Sequence, residues 1–233
     1  MVIMRIFTKN ETHIYKHRRK EAEDDFKKRR KLIAWVVSNC HSENKREEYV
    51  KELTKYFQVD IFGHCSQNSG LVNGDRTIGQ HDNIITHYKF YLAFENANCR
   101  GYVTEKFWNA LRQGAIPVVM GDSEAYKRYA PPGSYIDTAW FETPADLVSY
   151  LKRVVSDGVS YRDHFEWIEK YKLVNNYWCL LCTKAHEWNG IHQVYTDLSG
   201  WYAQDSCKTW NVSRALSSTY FYYISNRTIR QNK

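Results

Sequence analysis

The chain has 233 residues, 43% hydrophobic and 15% aromatic, with a formal net charge of +7, which describes a globular chain of one or two domains with room for a sizeable core, not a peptide module. No window approaches the roughly 18 consecutive apolar residues of a membrane-spanning helix, and residues 1–10 lack the small-residue cleavage pattern of a signal peptide. Residues 1–31 hold eleven Lys or Arg against five Asp or Glu, so six of the seven net charges sit there and the nearly neutral remainder argues against a nucleic-acid partner.

In chain order, residues 13–30 predict a charged helix, and the KKRRK run at 27–31 reads as a solvated helix end or linker directly before a buried strand. Residues 32–37 predict a strand. Tyr49, Val50, Leu53 and Phe57 recur at helical spacing within a helix over 44–57, and residues 59–62 form the next strand. Residues 65–83, rich in Gly, Asn and Ser, read as a loop. Residues 89–94 are an apolar, aromatic run that predicts a buried strand ending in Glu95 and Asn96. After a loop with Cys99, Arg100 and Gly101, Thr104 stands where a helix cap belongs, and Val103, Phe107 and Leu111 recur at i, i+4 and i+8. Glu105 and Lys106 begin this helix away from its apolar stripe, free to meet a ligand.

Gly114 closes the helix and residues 115–120 return as a strand, a second βαβ unit. Residues 122–129 predict a short helix, 134–137 a strand, 144–155 a helix opened by Thr143 and Pro144, and 159–171 a further helix. The alternation predicts an α/β fold: a Rossmann-like parallel sheet with helices on both faces, lacking the G-x-G-x-x-G fingerprint. No repeats or low-complexity segments interrupt it.

Six cysteines, an even number, and three sequons at Asn10, Asn211 and Asn226 agree with an oxidising compartment. Cys179-x-x-Cys182 followed by His186 and His192 has a spacing that can also hold zinc. Residue types alone leave disulfides, a metal site and free thiols open.

Four ordered pieces, FEN at 94–96, YVTEK at 102–106, NAL at 109–111 and G-x-I-P-V-V-x-G at 114–121, resemble the donor-binding signature of the metazoan α1,3-fucosyltransferases. AWVVSNC at 34–40 and VDIFG at 59–63 resemble two strands of the same family in the same order, and the likeness runs from about residue 32 to 207. The resemblance implies the carboxyl-terminal, donor-binding half of a two-domain GT-B glycosyltransferase, in the Golgi lumen or on its membrane. On that frame residues 1–31 are a basic linker or the partial end of a missing domain, 32–207 the GDP-fucose-binding domain, and 208–233 an aromatic and basic tail. The family's membrane anchor, amino-terminal domain and general base are expected to lie outside this chain, which would then transfer little fucose alone. The family's cysteines imply three disulfides, one or more of them using Cys179, Cys182 or Cys207.

A departing GDP gains negative charge, so fixed cations are needed near the diphosphate. Lys106, at a helix N-terminus, and Arg46, early in an earlier helix, match the family's cationic positions and are expected to stabilise the leaving group. Glu105 is suited to the vicinal diol of a ribose, Tyr102 to lie against ribose or base, and Asn96 to offer donor and acceptor to the sugar nucleotide. Glu95 reads as an internal structural carboxylate. No D-x-D motif is present, in keeping with the family's metal-independent donor site, so GDP-fucose and a glycan acceptor are the implied partners and no cofactor is expected. The opposing reading is an inactive or lectin-like secreted homologue, favoured by the eight tryptophans.

Overall fold

The computed structural model describes residues 3–6, 12–65, 84–157, 160–174 and 177–190, isolated positions between 194 and 200, and residues 207–208. Strand β1 (Ile3–Ile6) and helix α1 (Thr12–Lys28) lead into β2 (Lys31–Val36), α2 (Arg46–Leu53), β3 (Val59–Phe62), β4 (Tyr88–Phe94) and the short β5 (Asn98–Cys99). Then come α3 (Glu105–Arg112), β6 (Ile116–Met120), α4 (Ser123–Tyr129), β7 (Ile136–Asp137), α5 (Pro144–Ser156), α6 (Ser160–Asp163), β8 (Tyr171–Val174), α7 (Tyr177–Glu187) and β9 (Cys207–Lys208).

Five strands form one parallel sheet in the order β3-β2-β4-β6-β7. The chain runs outward from β2 to β3 on one side, then crosses back to β4 and continues through β6 to β7 on the other. The order therefore reverses between β2 and β4, and open parallel sheets bind ligands outside the carboxyl ends of strands at such a point.

Both faces of the sheet are covered at its centre, which is why β4 and β6 read as nearly continuous apolar runs, while the edge strand β3 is half-buried and carries Asp60. Ile33, Trp35, Phe90, Leu92, Phe94, Val118 and Met120 pack on one side with Phe26 of α1, Tyr49, Val50 and Leu53 of α2, and Leu147, Val148 and Leu151 of α5. Ala34, Val36, Tyr91, Ala93 and Val119, the alternate positions, face Phe107, Trp108 and Leu111 of α3 and Tyr126 of α4. Thr143 and Asp146 close a full capping box at the start of α5. Gly114, with φ of 71°, ends α3 in the left-handed conformation, and a Cβ there would come within 2.9 Å of the Arg29 guanidinium.

That guanidinium corrects the reading of KKRRK as wholly solvated. Arg29 is buried, donating from Nη1 to the carbonyls of Ile85 (3.3 Å) and Tyr88 (2.8 Å), and from Nη2 to Gln113 O and Asp25 Oδ2, both at 2.5 Å. It ties the end of α1 to the entrance of β4 and the exit of α3. Lys89 at the start of β4 donates back to the carbonyl of Phe26, and Phe26 stacks on Tyr161 at 5.3 Å.

The predicted helix over 159–171 is not one element. Residues 160–163 are helical, 166–169 form a 3-10 turn, and Tyr171–Val174 is a strand that pairs antiparallel with β1. Tyr161 and Phe165 enter one core layer and Trp167 the other. His164, at the break, donates from Nδ1 to Gly133 O at 2.8 Å. The expected loop over 65–83 lies, beyond Cys65, outside the described residues.

Two disulfides are present, Cys40–Cys65 and Cys99–Cys207. The third expected bridge is not formed: Cys179 and Cys182 are exposed thiols on α7. Among the described residues no group of three or more His, Cys, Asp or Glu gathers to hold a metal, and His192 lies outside them.

Two predictions follow from the core. Arg29→Ala should cost about 3 kcal/mol in urea unfolding, because buried carbonyls lose a charged donor; a loss below about 0.5 kcal/mol, as at a solvated position, would return Arg29 to the surface. At the end of β7, burial pushes Asp137 up to about 6, opposed by hydrogen bonds from Ala139 N and Ser123 and reinforced by the charge of Asp122. An acid with a higher pKa folded than unfolded keeps more protons when folded. Stability should therefore fall as pH rises from about 4 to about 6, by up to about 3 kcal/mol, and level off above. Asp137→Asn should flatten that decline; an unchanged profile would assign it to other groups.

Candidate functional site

The reversal point of the sheet, at the carboxyl ends of β2 and β4, is built around Arg46, the first residue of α2. Lys45 before it adopts φ of 60°, a left-handed turn that swings the chain from the strand exit into the helix. The Arg46 side chain is 2% exposed, with Nη1 donating to Phe94 O at 3.0 Å, Nη2 to Asn39 O at 2.9 Å and Nε to Glu47 Oε1 at 3.1 Å. Its guanidinium lies 5.7 Å from the Trp35 ring centre. One buried cation thus bridges the two strand ends across the reversal of strand order.

Asn44, also buried, donates from Nδ2 to Glu95 O and to Asn98 Oδ1, both at 2.8 Å, and accepts from Ser42 Oγ at 2.6 Å. Glu47 Oε2 in turn accepts from Ser42 N and shares the single Ser42 hydroxyl proton with Asn44 Oδ1. Burial alone would raise the Glu47 pKa, but the hydrogen bonds from Ser42 and Arg46 outweigh it and hold the carboxyl below its ordinary value.

One residue beyond Phe94, Glu95 leaves β4 with no solvent exposure and turns its carboxylate toward the start of α3. Oε1 accepts the Thr104 N–H at 2.7 Å, Oε2 accepts the Thr104 hydroxyl at 2.8 Å, and Oε2 also takes Lys106 Nζ at 3.2 Å. Thr104 occupies the cap position as expected, yet its side chain makes no cap hydrogen bond; it serves Glu95 instead and accepts from Lys106 Nζ at 3.0 Å. Lys106 is 19% exposed. It is not free, as its helical position suggested, but held by two of its three N–H bonds. Glu105, 71% exposed, stands 3.7 Å from the same ammonium.

The loop between Glu95 and Thr104 is fastened at several points. Cys99 is joined to Cys207, and β5 pairs with β9 at the same place. Gly101 N donates to Asp122 Oδ2 at 2.7 Å, while Asp122 Oδ1 accepts Glu124 N and caps α4. The other bridge, Cys40–Cys65, joins the exits of β2 and β3. Gly63 allows that approach, since a Cβ there would come within 2.4 Å of Val37 O.

Of the residues singled out from sequence, Asn96 is exposed, Tyr102 half-buried and Glu105 exposed on this one loop and helix start, with Lys106 anchored beside them. Arg46 lies at the same sheet edge, joined to β4 through Phe94 O, one residue before Glu95. Asn44 and Asp122 were missed. Both were visible as capping residue types before helices, but their long-range partners were not.

The sequence profile of Glycosyltransferase family 10 (fucosyltransferase), C-term, matches residues 26–201. Glycoprotein 3-alpha-L-fucosyltransferase A of Drosophila melanogaster is 40% identical over 178 residues, covering 74% of this chain and 35% of that protein. GDP-fucose protein O-fucosyltransferase 3 of Homo sapiens is 34% identical over 182 residues, 76% of this chain and 38% of its own length. The chain thus spans little more than a third of these relatives. The crystal structure of an α1,3-fucosyltransferase with GDP-fucose superposes with a TM-score of 0.58 at 21% identity, over 76% of this chain and 55% of that one, and shares its fold. With a parallel sheet that reverses at β2 and β4 and a family profile over most of its length, the chain belongs to the fucosyltransferases of glycosyltransferase family 10, whose carboxyl-terminal domain it carries.

Proposed function

We propose that the chain binds GDP-fucose in the crevice at the carboxyl ends of β2 and β4 and supplies the donor side of an α1,3-fucosyltransferase acting on N-acetylglucosamine-containing glycans. The observation that carries the reading is Lys106, an ammonium held at the first turn of α3 beside the reversal point, where a helix N-terminus already favours an anion. In the reaction an acceptor hydroxyl loses its proton to a general base and attacks the fucose anomeric carbon in line. The bond to the β-phosphate oxygen breaks, and its electron pair leaves with GDP, so configuration inverts. Lys106 meets the charge that develops on the leaving diphosphate.

Arg46 adds a second positive charge at this edge. With its guanidinium engaged by two carbonyls and paired with the Glu47 carboxylate, it acts by fixing the strand ends rather than by forking a phosphate. Glu105 accepts from the ribose diol, Tyr102 lies against ribose or base, and Asn96 hydrogen-bonds the donor. The remaining N–H of Lys106 and the N-terminus of α3 are the groups offered to the diphosphate where other sites use a divalent cation, and the three sequons and two disulfides suit residence in the Golgi lumen.

GDP and GDP-fucose should raise the melting temperature of the chain and UDP should not; saturation at 100 times Kd adds about 2.7 kcal/mol, well within thermal-shift detection. Equal shifts with UDP would refute the donor assignment. Lys106→Ala should weaken GDP binding by about 1.5–3 kcal/mol. It should also cost about 1–3 kcal/mol of stability, because Glu95 keeps Thr104 but loses its cation. Unchanged GDP affinity in a folded variant would remove Lys106 from the diphosphate.

A further inference from the structure

Glu95 has no contact with water, so it cannot itself touch a substrate in the crevice. Its role in folding does not explain its charge. The Thr104 N–H and hydroxyl need only an acceptor, and a neutral amide of the same shape would supply one. A buried carboxylate costs desolvation that a neutral group avoids, so the charge needs another reason. That reason is on its outer side, where Oε2 lies 3.2 Å from Lys106 Nζ and the Thr104 hydroxyl, itself bonded to Glu95, takes a second N–H of the same ammonium at 3.0 Å.

A lysine side chain has four freely turning bonds, and fixing them costs binding energy if it happens only when the ligand arrives. Here two bonds fix the head before any ligand is present, leaving one N–H to point elsewhere. The competing partner is Glu105, exposed and 3.7 Å from the same Nζ. Without Glu95 the ammonium is left to Glu105 and water, away from its seat at the start of α3.

We propose that Glu95 is a positioning residue for the donor's diphosphate: with the Thr104 hydroxyl it holds the Lys106 ammonium in a ready-made phosphate seat, and its effect on the ligand passes entirely through Lys106. The inference rests on the donor reading above and adds to it a buried carboxylate that never meets the ligand. It also predicts a signature that ordinary structural weakening lacks. Loss of Glu95 should harm recognition of the diphosphate while sparing that of the nucleoside.

The test is calorimetry with GDP and, by competition, with guanosine on the full chain. The wild type should prefer GDP, and Glu95→Gln should reduce the ratio of GDP to guanosine affinity about tenfold, the scale of one charge-assisted hydrogen bond. Guanosine affinity itself should hardly change. Thr104→Val, which keeps the backbone N–H bonded to Glu95, should reduce the ratio in the same direction and decides the matter if Glu95→Gln does not fold. In a Lys106→Ala background, Glu95→Gln should have no further effect, as a double-mutant cycle requires of a residue acting through another. An unchanged ratio, an increase in GDP affinity, equal losses for both ligands, or additive effects in the cycle would overturn the inference while leaving the donor reading intact. A folded wild type that binds no GDP would remove both.

Discussion

The carboxyl edge of the sheet is organised around the guanidinium of Arg46, a charge almost wholly withdrawn from water. Such a group is tolerable only if its donors are answered, and the answers here come from the last carbonyl of β4, the carbonyl of Asn39 beyond β2, and Glu47. Two of these lie on opposite sides of the place where strand order reverses. The cost of burying the charge is offset only while both strand ends stay at their present separation, so Arg46 holds the ends of β2 and β4 in register with each other. Asn44, two residues before Arg46, adds a second tie from the β2–α2 connection to the segment after β4, donating to Glu95 O and Asn98 Oδ1.

The same constraint orders the charges beyond it. Glu95 is carried into the interior by β4 and answered by Thr104 and Lys106, so the cation of α3 is fixed relative to the cation of α2 through the backbone of one strand. Asp122 completes the frame from β6 by taking the amide of Gly101. The loop over 96–103 is therefore irregular without being loose: Asn44, Asp122 and the Cys99–Cys207 bridge hold it from three directions. Functional loops on rigid scaffolds gain their precision from such anchors rather than from regular structure.

Farther from the site, the basic amino-terminal helix is part of the packed unit. Arg29 and Lys89 direct their charges to carbonyls at the end of α1, the entrance of β4 and the exit of α3, and Arg19 meets Glu23 and Glu169. Long basic side chains here satisfy backbone groups that element ends leave without partners. A formal count of charge, which assigns these residues to a solvent-facing run, does not distinguish that use from a polyanion patch.

The amino-acid sequence by itself indicated the five sheet strands, most plainly β4 and β6, because strands buried on both faces are nearly continuous apolar runs and need no partner information to be recognised. It also determined where α5 begins, through local cap chemistry at Thr143–Pro144, and placed Asn96, Tyr102, Glu105 and Lys106 on one strand exit and helix start, with Thr104 at the cap position by residue type although its side chain makes no cap hydrogen bond. Tertiary structure decided whatever depends on a partner distant in sequence. The strand order that makes β2 and β4 neighbours, the turning of Thr104 from cap to ligand of Glu95, and the capture of Lys106 all join residues whose partners no local pattern names. So do the pairing of Ile3–Ile6 with Tyr171–Val174 and the break at His164. A 3.6-residue or two-residue period reports only which side of an element is buried; what lies against that side is fixed when the chain closes on itself.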